Sequence, residues 1–251
     1  MPSVQTEPGA VAALLTALDG LTVYDVSPTI DAQLPMWFMY EQPAITPVAR
    51  HDQGGAAVNS ISLNEHTGTH IDAPFHFDAD GQTMAQVPVD ALLLRPYCKY
   101  DLTGDDHQPG DLIGIEHLKA AEARASFALQ PGDVAIIEVG WDRNLPGGVN
   151  GRDQSWWGRN QPGLSPDACE YLADAGVRAV ASDTAACDVA AIDAEMSSFH
   201  GHVSAFLPRG ILIVEGLTGL AAAPSTGLFV ALPLKIAEGT GSPVRIVLLA
   251  Q

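Results

Sequence analysis

Positive charge is scarce in this chain of 251 residues: 12 lysines and arginines stand against 30 aspartates and glutamates, a formal net charge of -18 at pH 7. Nucleic-acid binding needs cationic side chains to displace counterions, so that class is excluded. Docking on an anionic membrane surface is excluded for the same reason. A diffuse acidic surface mostly aids solubility and does not by itself select a cationic substrate. Cysteine is sparse as well. Cys98, Cys169 and Cys187 are odd in number and widely spaced, with no Cys-x-x-Cys pair. This argues against a disulfide framework and predicts free thiols in a reducing cytoplasm. No apolar run approaches the roughly 20 residues of a membrane span. Residues 1–20 have no basic start, and Thr16 and Asp19 break their apolar stretch, so no signal peptide is expected. Internal repeats and low-complexity tracts are missing too.

What remains is an ordinary globular composition, 47% hydrophobic and 17% charged, long enough to bury a sizeable core. No linker divides it. One domain is expected over residues 21–251, behind an N-terminal helical segment at 1–20. Val11, Leu14, Leu15 and Leu18 recur at helical spacing and predict a helix from Pro8 to Leu18, stopped by Gly20. Ile115–Ala125 and Ser165–Ala175 read as further helices. The latter has Ser165 as N-cap, Pro166 at the first position and Asp167 in the first turn. Strands are predicted at Leu21–Val26, Ala56–Asn64, Tyr97–Leu102, Val134–Val139, Val177–Ala181, Ile211–Val214, Phe229–Leu234 and Val244–Leu249. Helices inserted among more numerous strands give a mixed α/β domain with a largely β core.

Three stretches resist that pattern. Arg143–Gly163 is long for a loop in a compact domain, and its Trp156 and Trp157 are costly to leave in water. A lid or an oligomer contact is expected there. His107, in the polar loop Asp105–Gly110, is expected at the surface. Ser182-Asp183-Thr184 follows a strand and either faces a site or closes an Asx-type turn.

The chemistry concentrates between Asn64 and Phe77. His66, His70, Asp72 and His76 lie within eleven residues, and imidazole with carboxylate suits zinc, manganese or iron(II). This is not the helical His-Glu-x-x-His arrangement, because Thr67, Gly68, Thr69 and Pro74 oppose a helix. In an extended chain, His66, Gly68, His70, Asp72, Pro74 and His76 share one face. A straight strand would hold His66 and His70 roughly 13 Å apart, too far for one ion. The chain must therefore bend between them, and Gly68 permits it.

His-Thr-Gly-Thr-His-Ile-Asp-Ala-Pro-Phe-His-Phe, residues 66–77, resembles the signature of the metal-dependent cyclase-like hydrolases, the family of the kynurenine formamidase and isatin hydrolase type. Weaker echoes run from Tyr24 to Leu249. The resemblance implies a swivelling β/β/α-type single domain and a homodimer or homotetramer. It also bears on the proline-bearing passage Ser27–Phe38. The apolar trio Met36, Trp37 and Phe38 at its end reads either as a core cap or as a wall for a planar substrate, and the resemblance favours the wall for Trp37. Glu215 ends the apolar run Ile211–Val214, an expensive place for a carboxylate unless it is paired. The resemblance implies that Glu215 and His202 form a second metal position bridged by Asp72. His202 lies one residue farther from Glu215 than the family's spacing, so His200 competes with it.

The expected chemistry follows. A divalent ion held by His66, His70 and Asp72, with one position open, lowers the pKa of a bound water to about 7. Attack on the carbonyl of a small aryl formamide, cyclic amide or imide then cleaves a C–N bond, with His76 as general acid/base. The alternative on the same residues is a cyclase, dehydratase or lactonase acting on a cyclic or polyketide-like acid. A closed structural site is disfavoured, since such sites commonly use cysteine and none lies in this stretch.

Overall fold

The computed structural model of the protein describes residues 8–34, 36–192 and 195–251. Residues 1–7 of the N-terminal segment, Pro35 before Trp37, and Asp193 and Ala194 lie outside the described residues. Helix α1 (Pro8–Asp19) precedes β1 (Thr22–Asp25), the ribbon strands β2 (Ala44–Ala49) and β3 (Val58–Ser62), and the three-residue β4 (His70–Asp72). Next come β5 (Arg95–Asp101), β6 (Leu112–Ile113), α2 (Ile115–Ala125), β7 (Val134–Glu138), α3 (Gln154–Arg159), β8 (Gly163–Leu164), α4 (Pro166–Asp174) and β9 (Ala179–Ser182). The short β10 (Ala191–Ile192) and β11 (Glu195–Met196) lead to β12 (Leu212–Glu215), β13 (Thr226–Val230), β14 (Gly241–Pro243) and β15 (Val247–Ala250).

Nine strands form one sheet in the order β1-β15-β13-β5-β7-β9-β12-β4-β14. Its centre, β5-β7-β9-β12, is parallel, and its flanks are antiparallel. Parallel strands are covered on both faces, which is why β7 reads as a near-continuous apolar run. Along β7, Ala135 and Ile137 face one core with Leu118 of α2 and Leu172 of α4. Val134 and Ile136 face a second core with Ile71, Leu92, Phe229 and Leu248. The mixed α/β domain with a large β core is therefore the observed architecture. Among the described residues, no helix is long and apolar enough to cross a membrane.

Helix α4 starts where its residues dictate. Ser165 Oγ accepts from the Ala168 N–H, and Pro166 occupies the first turn, where its missing N–H costs nothing. The second core holds a buried ion pair, Lys99 Nζ to Glu138 Oε2 at 2.5 Å, and Lys99 also donates to the Leu220 carbonyl at 2.9 Å.

Two expectations are overturned. The 143–163 stretch is not a loop throughout. It contains α3, and Trp157 is buried. The indole Nε1 of Trp141 donates to the Trp157 carbonyl and that of Trp157 to the Trp141 carbonyl, at 2.9 and 3.2 Å. Trp156 stacks on Trp141. The indoles therefore fasten this segment into the helix-side core. His107 is not at the surface either. It is 7% exposed, with its ring 5.3 Å from that of His117.

Candidate metal centre

The register of β12 against β4 builds the centre. Glu215 lies opposite His70, and Ile213 opposite Asp72. Opposite residues of an antiparallel pair project to the same face with Cβ atoms about 5 Å apart. His70, Asp72 and Glu215 therefore share the helix-side face at the end of the sheet, and all three are buried. His66 returns to this face through a turn in which Gly68 has φ +63°. Glycine is required there by conformation, and a Cβ would also stand 2.7 Å from Leu34 Cδ2, so that side chain would have to shift. His202 arrives from a π-helical turn, Gly201–Ala205.

His70 and His202 each lie against both carboxylates, Asp72 and Glu215, but through opposite oxygens. His70 Nε2 is 3.5 Å from Asp72 Oδ1 and 3.4 Å from Glu215 Oε2. His202 Nε2 is 3.4 Å from Asp72 Oδ2 and 3.2 Å from Glu215 Oε1. Donor atoms around a tetrahedral ion with bonds near 2.0–2.1 Å are about 3.3 Å apart, so His70, Asp72 and Glu215, whose donor atoms lie within 4.8 Å of one another, fit such a cation. Asp72 Oδ2 is buried with no hydrogen-bond partner, as an oxygen reserved for a cation would be. A second grouping joins His66, Asp72 and His76 with donor atoms within 4.8 Å of one another. His66 Nδ1 lies 2.7 Å from Asp72 Oδ1. The four residues of the motif thus surround Asp72 but divide between two foci.

Each imidazole of these foci other than His76 is held by its remote nitrogen. His70 Nδ1 donates to the Gly68 carbonyl at 2.7 Å. His66 Nε2 meets Thr240 Oγ1 at 2.9 Å, and that hydroxyl donates to Glu65 Oε2. His202 Nδ1 meets Asp188 Oδ2 at 2.7 Å. The near nitrogens are thereby aimed at the carboxylates, the usual condition of ligating histidines.

The electrostatics agree. Burial would raise Asp72, but the imidazoles of His66, His76 and His202 hold its carboxyl well below the ordinary range. Burial would lower His202, but Cys187, Asp188 and Asp72 carry it well above its ordinary value. His70 is raised against burial by Glu215 and Asp72. Two carboxylates therefore demand positive charge here, which a divalent cation supplies. His76 behaves differently. Burial, helped by the His66 and His202 charges, pushes it down to about 4, so its imidazole is neutral at pH 7.

Beside the centre lies a cavity of about 180 Å³ lined by Trp37, Tyr40, Phe77, Met196 and Phe199, with His66, His70, His76, His202 and Glu215 at its floor. Trp37 stands in this wall as the sequence led us to expect. Phe38 does not line it. It backs Trp37 at 4.5 Å and carries the Arg159 guanidinium on its ring. His202, not His200, reaches the centre, because His200 is taken by Glu170 at 2.8 Å. Sequence reasoning missed Tyr40, Phe77, Phe199, Asp188, Glu65 and Thr240. Only Glu65 and Phe77 carried a signal, being neighbours of the motif.

These features define a class first: a mixed α/β protein with an open histidine–carboxylate centre of the catalytic type, set beside an aromatic cavity. The chain belongs to the cyclase family, whose model, described as "Putative cyclase", matches residues 24–189. It is 30% identical over 233 residues to the kynurenine formamidase of Delftia acidovorans, covering 91% of this chain and 97% of that protein. Among solved structures it is similar to an isatin hydrolase bound to the product analogue thioisatinate, with TM-score 0.84 over 98% of this chain and 99% of the other. At 24% identity that likeness speaks for the fold alone. A predicted metal-dependent hydrolase from Bacillus stearothermophilus is 26% identical, with TM-score 0.68 over 92% of this chain and all of the other, 100%.

Proposed function

We propose that the protein is a metal-dependent hydrolase of amide bonds, cleaving the C–N bond of a small aryl formamide, cyclic amide or imide. One observation carries this reading: the buried convergence of His70, Asp72 and Glu215, with His202 against both carboxylates and an unpartnered carboxylate oxygen, at the floor of an aromatic cavity. His70, Asp72, His202 and Glu215 would hold divalent metal at this centre. His66 and Asp72 offer a second position, with Asp72 between the two. Nitrogen and oxygen ligands suit zinc or manganese, with iron(II) also compatible. A cation so held supplies Lewis-acid polarisation of the carbonyl and lowers the pKa of water to about 7.

The chain's own groups do the rest. Trp37, Tyr40, Phe77 and Phe199 exclude bulk water and hold a planar ring. His76, stacked on His66 with ring centroids 4.0 Å apart, is held beside the centre with a neutral imidazole. It accepts a proton as water adds to the carbonyl carbon, and returns that proton to the nitrogen as the C–N bond breaks. The products are an acid and an amine from a formamide, one ring-opened amino acid from a cyclic amide, or an acid and an amide from an imide. Homology to a kynurenine formamidase and to metal-dependent hydrolases supports this reading. The enzyme so proposed is cytoplasmic, with its domain over residues 21–251. The ribbon of β2 and β3 exposes Ile45, Val48, Val58 and Ile61, which favours a homodimer or homotetramer. Light scattering giving a monomer mass would discard the oligomer.

Two variants test the assignment. His70→Ala should lose bound metal. His76→Ala should keep it and lose about 10²–10⁴-fold in kcat towards an aryl formamide or isatin. Full metal content in His70→Ala would discard the ligand set. Turnover of lactones alone would move the activity to the lactonase class.

A further inference from the structure

We infer that Asp188 is a positioning residue. Its carboxylate fixes the His202 imidazole with hydrogen on Nδ1, and so presents the Nε2 lone pair to the cation. The inference rests on the reading of His202 as a ligand. Asp188 is 3% exposed, and among the described residues no arginine or lysine pairs with its carboxylate. Those partners are all donors. Gly201 N–H donates to Oδ1 at 2.8 Å, and His202 N–H to Oδ2 at 3.1 Å. His202 Nδ1 completes the set at 2.7 Å. The thiols of Cys169 and Cys187 approach its oxygens at 3.9 and 3.7 Å. One carboxylate thus grips both the backbone of the turn that delivers His202 and the remote nitrogen of its ring.

The surroundings are shaped around that grip. A Cβ on Gly201 would stand 2.9 Å from Asp188 Oδ2 and 3.0 Å from Oδ1. A side chain there would push the carboxylate off the imidazole. On the other side, a Cβ on Gly163 would stand 2.0 Å from the Val189 nitrogen and 2.2 Å from the Asp188 carbonyl carbon. Two glycines therefore let the chain close on Asp188 from both directions. Cys187 ties the same residues to the far side of the centre, because its N–H donates to Glu215 Oε1 at 2.9 Å. Cys187, Asp188 and His202 are close enough to hold a cation of their own. His202 Nδ1 and Asp188 Oδ2 stand at hydrogen-bond distance, however, closer than the roughly 3.3 Å that separates two ligands of one tetrahedral ion. The remaining pair is a carboxylate orienting an imidazole whose other nitrogen faces Asp72 and Glu215. A partner of this kind raises ligand basicity, and its loss typically weakens metal binding by about 10–100-fold.

The test measures zinc affinity by competition with a chelator of known strength, alongside the melting temperature of the metal-free protein. Asp188→Asn keeps the shape but sets an amide against the Gly201 N–H. It should weaken zinc binding by about 10–100-fold. In a His202→Ala background the same substitution should have no further effect on affinity. A purely structural role would instead lower the metal-free melting temperature and leave affinity within threefold of the wild type, and that result overturns the inference. Unchanged affinity in His202→Ala overturns the ligand reading and this inference together. Loss in His202→Ala with none in Asp188→Asn overturns the role of Asp188 alone. Nitrogen-15 spectra of the zinc-loaded wild type read the orientation directly. The His202 imidazole, assigned by the signal lost in His202→Ala, should show zinc on Nε2 and a low-field Nδ1 proton alongside that of His70; zinc on Nδ1 of His202 would refute the orientation.

Discussion

Asp183 illustrates how much a single buried carboxyl can carry. Its two oxygens accept from the N–H groups of Val139 and Trp141 at 3.0 and 2.9 Å, so it fastens the end of β7 to the tryptophan turn and does not face the cavity. Burial outweighs those donors and pushes it up to about 7. An unfolded aspartate titrates near about 3.9. Between those values the folded chain holds a proton that the unfolded chain lacks, so stability falls as pH rises and levels off above the folded value. The melting temperature of the wild type should therefore fall relative to that of Asp183→Asn as pH rises from about 4 to 7. Parallel curves would contradict it. The Lys99–Glu138 pair gives a second prediction at this scale. Burial raises the Glu138 carboxyl against the pull of Lys99. Lys99→Met strands that carboxylate and should cost about 3–5 kcal/mol by denaturant unfolding, most of it recovered on adding Glu138→Leu. An additive double variant would refute the pairing.

Among elements, the turns at Gly68 and Gly216 matter most, because two backbones cross there. Gly216 has φ +69°, and a Cβ on it would stand 2.8 Å from the Gly68 carbonyl oxygen. Gly216→Ala should therefore displace Glu215 and the turn between His66 and His70, lowering both melting temperature and metal content. Gly210 makes the control. Its φ is +72°, but a Cβ there meets nothing within 4 Å. Gly210→Ala should cost only about 1–2 kcal/mol of left-handed strain and keep its metal. Equal metal loss in both would show that backbone strain, not the crossing, is responsible. Local features such as these were legible in the sequence. The bend at Gly68, the Ser165 cap and the limits of α2 each follow from a few adjacent residues. The Trp segment was not legible, because Trp141 and Trp157 exchange their hydrogen bonds across sixteen positions and no periodicity records it. His107 misled for a similar reason. Its polar neighbours in the chain say nothing of His117 packing over it.

At the scale of the whole molecule, the pairing of β4 with β12 was invisible in advance. It joins Ile71 to Val214 across most of the chain, and only a resemblance put Glu215 beside His70. Asp188 was hidden by the same distance, since nothing near it in sequence announces an imidazole. The centre exists only when the early motif, the π-helical turn and β12 are zipped together near one end of the sheet. A bound cation acts there as a rivet between the first third of the chain and the last. β4 is three residues long, with only the short β14 beyond it, so this seam has little else to keep it shut. A chelator would thus loosen the fold as well as silence the enzyme. Stripping the metal should speed hydrogen exchange at the Asp72 and Ile213 amides, which point across this seam, while leaving Ile136, in the middle of the sheet, protected. Uniform exchange across all three would mean that the seam holds without its rivet.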